Sequence, residues 1–187
     1  EIITESWLEE MLQLCQQKDV GMAGAKLYYP DDTIQHAGVV VGLGGVAAHV
    51  LCKLPRDAEG YMGRLRCVQE ISAVTAACMM VKTSVFKAVG GFDEELKVAF
   101  NDIDLCMKVR KYGVKIVFTP YAELYHYESK SRGMEDTPEK QLRFSREVNC
   151  FRRKWERELL KGDPYYNPNL TLNNTDCSLR KQEKNGD

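Results

Sequence analysis

The sequence predicts an α/β fold: a mixed sheet flanked by helices, with a long helix near the C-terminal end. Three observations carry that expectation. Short β-branched or small apolar runs alternate with segments whose apolar residues recur every three or four positions. Glycine, proline and aspartate punctuate the junctions between them. Phe144, Val148, Phe151, Trp155 and Leu159 form a single helical stripe that can bury one face.

The elements follow in order. Ser6-x-x-Glu9 has the form of a capping box, and Trp7, Leu8, Met11, Leu12 and Cys15 come at helical spacing, so a first helix runs to about residue 17. Residues 20–29 are small and apolar and read as a strand. Pro30-Asp31-Asp32 is a turn signal, and residues 34–41 are a second extended run. Residues 42–66 mix glycines, Pro55 and charges without a period and read as a long loop. Residues 67–81 read as extended and largely buried. Thr83 is placed to cap a short helix over 84–89, which Gly90-Gly91 ends. Asn101-Asp102 opens another helix through Lys111, with Gly113 just beyond it. Residues 114–119 are a β-branched strand and 123–126 a shorter extended piece. Thr137-Pro138-Glu139 starts the long helix, with proline at its first position, and Gly162 closes it. The expected organisation is one body over 1–162 and a polar tail over 163–187 that wraps the surface before fraying.

Composition narrows the function classes. In 187 residues, 26 Lys and Arg stand against 27 Asp and Glu, a formal charge of −1. A nucleic-acid coat would need a basic excess, so nucleic acid is not an expected partner. Hydrophobic residues at 44% and charged residues at 28% suit a soluble globular domain. The nearly apolar stretch 71–81 is too short to span a bilayer, and no basic-then-apolar leader is visible. Seven cysteines, an odd number without a C-x-x-C pair, point to reduced thiols in a cytosol. The N-x-T triplets at Asn169 and Asn173 then read as chance matches in the tail. The chain opens with Glu1 rather than Met, so a fragment of a longer protein is expected.

Few motifs carry chemistry by themselves. Gly42-Leu-Gly44-Gly-Val-Ala47 imitates a dinucleotide fingerprint, but the helix that should follow is missing and a flexible glycine loop is the better account. His36, His49 and His126 lack the close ligand pairs of a zinc site. His126 ends an extended segment after a strand, where α/β domains place site residues. Asn101-Asp102-Ile-Asp104 lies at a helix start and has two accounts. The residues can serve as caps at the positive end of the helix dipole, or a carboxylate kept ionised there can accept a proton.

Several ordered segments together resemble one family. They are Val74-Thr-Ala-Ala-Cys-Met-Met-Val-Lys, Phe86, Val89-Gly-Gly-Phe-Asp-Glu94, and Asn101-Asp-Ile-Asp-Leu105 with Arg110 and Gly113. The likeness is to the C-terminal half of family 2 glycosyltransferases of the GT-A (nucleotide-diphospho-sugar transferase) fold. Gly24-Ala-Lys-Leu-Tyr-Tyr-Pro-Asp, Gln35-His-Ala-Gly-Val-Val, Pro120-Tyr-Ala-Glu-Leu-Tyr-His126 and Asp163-Pro-Tyr-Tyr-Asn-Pro-Asn-Leu are similar to its bacterial, rhamnosyltransferase-like branch. The likeness covers about residues 1 to 172.

That resemblance implies a partial GT-A fold and an inverting transfer of a sugar from a nucleotide-diphosphate donor to an acceptor hydroxyl, in bacterial surface polysaccharide synthesis. It gives Asp102 the role of general base, with Asn101 standing where an acid is more usual. It implies a divalent metal, Mg²⁺ or Mn²⁺, which His126 helps to hold. Thr75 and Ala76 fall on the acceptor-side loop, with alanine at 76 in place of the usual glycine, and Asn101, Asp104 and His36 are assigned to the substrate side. Asp102-Ile-Asp104 spells D-x-D, but the family's metal signature ends a strand and is expected upstream of Glu1, with the remaining metal ligands. The acceptor implied is a saccharide or lipid-linked saccharide. Basic Arg152-Arg153-Lys154 then suggests a peripheral contact at the inner face of the membrane. The alternative from another class is a non-catalytic saccharide-binding or assembly module that kept the fold.

Overall fold

The computed structural model describes residues 1–127 and 137–181. Strand β1 (Val20–Tyr28) is the axis of its main sheet and is buried along its whole length. It runs parallel to β7 (Lys115–Tyr125), which pairs on its far edge with β5 (Gln69–Glu70). On its other edge β1 meets β6 (Met79–Val81) at its start and β2 (Ile34–His36) at its end, both antiparallel. A separate hairpin joins β3 (Val39–Val41) to β4 (Ala47–His49).

Helix α1 (Trp7–Cys15) covers one face. Met11, Leu14 and Cys15 pack on Ala23, Ala25 and Leu27 of β1 and on Val117, Ala122 and Leu124 of β7. The alanines let the helix approach the sheet closely, while Leu8 and Leu12 stay exposed. The expected capping box does not form, because the Ser6 side chain makes no cap bond. The other face carries the larger core, in which α2 (Thr83–Ala88), α3 (Asn101–Lys111), α4 (Pro138–Lys154) and α5 (Glu156–Lys161) take part.

Several expected elements are divided or joined differently. The run 34–41 breaks at Gly38, whose φ of +104° turns the chain from β2 into β3. Residues 67–81 give two short strands separated by a 3₁₀ turn over Ala76–Cys78. The pieces 114–119 and 123–126 are one strand, β7, whose register advances from Gly24–Phe118 to Lys26–Glu123 around Pro120, which cannot donate to the ladder. Thr83 lies inside α2, and Lys82 precedes it without a side-chain cap. The glycine loop at 42–45 leads into β4 rather than a helix, as the failed fingerprint implied.

The long C-terminal helix begins as expected, with the Thr137 hydroxyl accepting from Lys140 N–H at 3.3 Å. It breaks at Trp155 (φ −114°, ψ 23°) into α4 and α5. Phe151 and Trp155 are buried, whereas Phe144 is partly exposed. Beyond Gly162 the chain packs down: Tyr166, Leu170 and Cys177 enter the main core, and the Leu172 and Thr175 carbonyls accept from Gly44 and Leu51 N–H. The stretch where fraying was expected, 182–187, lies outside the described residues. Among the described residues no helix is long and apolar enough to cross a membrane.

Candidate active site

Helix α3 starts abruptly. Phe100 before it has φ +62°, in the left-handed region, and no side-chain cap is made there. Asp102 therefore sits in the first turn with two backbone donors on its carboxylate: Ile103 N–H reaches Oδ1 at 2.9 Å and Ala76 N–H reaches Oδ2 at 3.1 Å. The Asn101 side-chain oxygen accepts from Asp102 N–H at 2.7 Å. These backbone donors fix the orientation of the carboxylate. Asp102 remains partly open to solvent, and each oxygen keeps a second lone pair for an incoming proton.

The loop that meets Asp102 is itself fixed. The Thr75 hydroxyl accepts from Ala77 N–H at 3.3 Å, and Thr75 N–H donates to His36 Nε2 at 3.4 Å. Because Nε2 accepts, the proton of neutral His36 sits on Nδ1, which faces His49 Nδ1 at 2.9 Å. His36 is wholly buried, and that burial, with His49 beside it, holds its pKa well below the usual histidine value. Cys106, one turn beyond Asp102 on α3, bonds the Val74 backbone through its thiol (N–H···S 3.4 Å, S–H···O 3.5 Å). His36, Thr75, Ala76, Asn101 and Asp102 thus form one connected arrangement.

His126 is held by Gln35, which alternates with His36 along β2 and so presents its side chain to the opposite face of the strand. Gln35, beside His36 on β2, donates its amide N–H to the His126 carbonyl at 3.2 Å and presents Oε1 to His126 Nδ1 at 2.8 Å. The carbonyl can only accept, so the amide orientation is fixed, and Nδ1 must carry the proton. Nε2 is left with its lone pair, the form that binds metals, with the other ring nitrogen held by an outer partner. Gln35 opens the Gln35-His-Ala-Gly-Val-Val segment, but nothing in that segment marks its amide as the partner of His126. Among the described residues no group of three or more His, Cys, Asp or Glu could hold a metal by itself. His126 is thus a chemically suitable single donor.

Asp104, assigned to the substrate side, faces away. Two residues along an α-helix turn the side chain by about 200°, so Asp102 and Asp104 point to opposite sides of α3. Asp104 is fully buried: Oδ1 accepts from Trp155 Nε1 at 2.8 Å and lies 2.8 Å from Lys154 Nζ, while Oδ2 is 3.3 Å from Lys108 Nζ. Lys154 also pairs with Asp93, and Arg152 donates to the Gly45 carbonyl. Two of the three basic residues expected to face a membrane are therefore occupied within the fold. A cavity of about 1050 Å³ between Lys26, Asp32, Arg56, Tyr121 and Glu123 contains none of the candidate residues.

The sequence matches the family described as glycosyltransferase-like family 2 over residues 1–147. It is 57% identical over 180 residues to the uncharacterized protein y4gI of Sinorhizobium fredii, covering 96% of this chain and 20% of that protein. It is 38% identical over 188 residues to the O-antigen biosynthesis protein RfbC of Myxococcus xanthus, covering 100% of this chain and 14% of that one. A shorter match, 36% over 62 residues, is to the N-acetylglucosaminyl-diphospho-decaprenol L-rhamnosyltransferase of Mycobacterium tuberculosis, covering 33% and 20% of the two chains. The chain thus spans a fifth or less of the length of the Sinorhizobium and Myxococcus relatives. With the match extending from residue 1 through the site helix and into α4, the chain belongs to the glycosyltransferase-like family 2.

Proposed function

We propose that this chain is the acceptor-side part of an inverting glycosyltransferase that uses a nucleotide-diphosphate sugar and an acceptor hydroxyl in bacterial surface polysaccharide synthesis. The observation that carries it is the Asp102 carboxylate, partly open and steered by the N–H groups of Ala76 and Ile103. In the reaction Asp102 takes the proton of the acceptor hydroxyl as its oxygen bonds the anomeric carbon. The bond from that carbon to the diphosphate breaks from the opposite face, and the diphosphate leaves with the electron pair. The loop at 75–77 orients the base, and His36 orients the loop.

A divalent cation, Mg²⁺ or Mn²⁺, would neutralise charge on the leaving diphosphate when bound. His126 would give it one nitrogen, with Gln35 holding the ring, and the other protein donors would come from chain preceding Glu1. Residues 1–187 would then bind donor weakly and lack transferase activity by themselves. The names of the Myxococcus and Mycobacterium relatives support a saccharide or lipid-linked saccharide as acceptor.

The test is to incubate the full-length protein with nucleotide-diphosphate sugars and saccharide acceptors, following nucleoside diphosphate release and the product anomer by NMR. Coupled release with inversion is expected. Saccharide binding without any release would overturn the proposal in favour of a non-catalytic module.

A further inference from the structure

Helix α4 grips the start of α3 at three successive places. Glu147, 3% exposed, accepts from three consecutive backbone donors: Lys97 and Val98 N–H on Oε1 at 3.1 and 3.2 Å, and Ala99 N–H on Oε2 at 2.8 Å. Phe144 and Phe151, three residues before it and four after, hold the Phe100 ring at centroid distances of 5.8 and 5.4 Å. Lys154 and Trp155 then take Asp104. These partners form one stripe of α4, spaced so that they face the same side.

The grip brackets Asp102: Phe100 lies two residues before it and Asp104 two residues after it. Phe100 has φ +62°, a conformation that a bulky residue keeps only where its surroundings impose it. The direction in which α3 leaves Phe100 sets where the Asp102 carboxylate points. A backbone run of three N–H groups is a natural anion seat, and here the chain's own carboxylate fills it.

We propose that Glu147 is a positioning residue for Asp102: by holding the 97–99 backbone it fixes the turn from which α3 starts, and so the aim of the base. This rests on Asp102 being the base. Glu147 itself is placed to touch no reacting atom: it is buried, holds three loop N–H groups and lies 3.9 Å from Arg143 Nε. A misplacement of about 1 Å in a catalytic group costs roughly 10²-fold in rate, so a loosened loop acts on turnover.

The experiment compares the full-length wild type with Glu147→Gln, Glu147→Asp and Asp102→Asn, with rates expressed per folded molecule. Glu147→Gln keeps one acceptor oxygen and sets an amide N–H₂ against the loop. It is expected to lower kcat by about 10- to 100-fold with donor KM within about twofold, Glu147→Asp recovering part of the loss. Hydrogen exchange should quicken at residues 97–104 and nowhere else. Unchanged kcat in a folded Glu147→Gln protein overturns the proposal. If Glu147→Gln does not fold, Glu147→Asp is read by the same criteria. Wild-type amides 97–99 exchanging as freely as an open loop overturn it without any variant. If Asp102→Asn keeps its turnover, it is the base assignment that fails, and the amide protection still reports separately on Glu147.

Discussion

His36 shows how one buried side chain ties stability to the site. Its Nε2 accepts from Thr75 N–H, and its Nδ1 proton is directed at His49. A second proton would set N–H against N–H at Thr75 and charge a fully buried ring. With the folded pKa depressed, the unfolded chain takes the proton first, so stability is complete above about pH 6.5 and falls as pH drops below it. The fall attributable to this ring approaches about 1.4 kcal/mol per pH unit. Urea unfolding between pH 7 and pH 5 should therefore show a steeper loss in wild type than in His36→Gln, and equal slopes would remove His36 from this role. The residues of the site were unequally legible. Asp102, Thr75 and Ala76 stood in recognisable segments, and a helix start explains why an acid there is poised. Gln35 opens such a segment, but an amide on a strand looks ordinary there, and Glu147 stood in none; only tertiary contacts mark either one. Asp104 stands close to Asp102 in the sequence, whereas the helix turns the two acids apart.

Among the elements, β1 and the 73–76 segment depend on a missing side chain. A Cβ on Gly24 would meet the Val74 Cβ at 2.6 Å, so glycine lets the segment carrying Thr75 and Ala76 lie on the strand. Gly24→Ala should force Val74 outward, destabilise the protein by about 1–3 kcal/mol, and lower turnover by shifting the loop that Asp102 bonds. Thermal unfolding and activity measured together check this; a stable Gly24→Ala protein with full turnover would show that the segment has room to spare. Elements with a strong local signal were readable: the strand at β1, α3 with Gly113 after it, and the Thr137-Pro138 start of α4. The remainder were set by distant partners. Gly38 interrupts what the sequence shows as one extended run over 34–41, because the chain must leave β1 to form the β3–β4 hairpin. The break between α4 and α5 at Trp155 accompanies that ring's bond to Asp104, which no helical periodicity reveals.

In the molecule as a whole, one face of the sheet is sealed by α1 and the other carries the site. Loop 75–77 meets the start of α3 there, while α4 holds the backbone just before α3. The fold class was evident from the alternation of elements, and the family from ordered segments rather than from any single motif. The central claim is that Asp102 removes the acceptor proton. It is tested most directly by a single-turnover measurement on the full-length protein with donor already bound, comparing wild type with Asp102→Asn after acceptor is added. Transfer is expected to be slowed by at least about 10²-fold, with donor affinity within about twofold of wild type. Transfer at a rate within a few-fold of wild type, under the same donor saturation, would contradict it and leave Asp102 as a helix-start residue that holds Ala76.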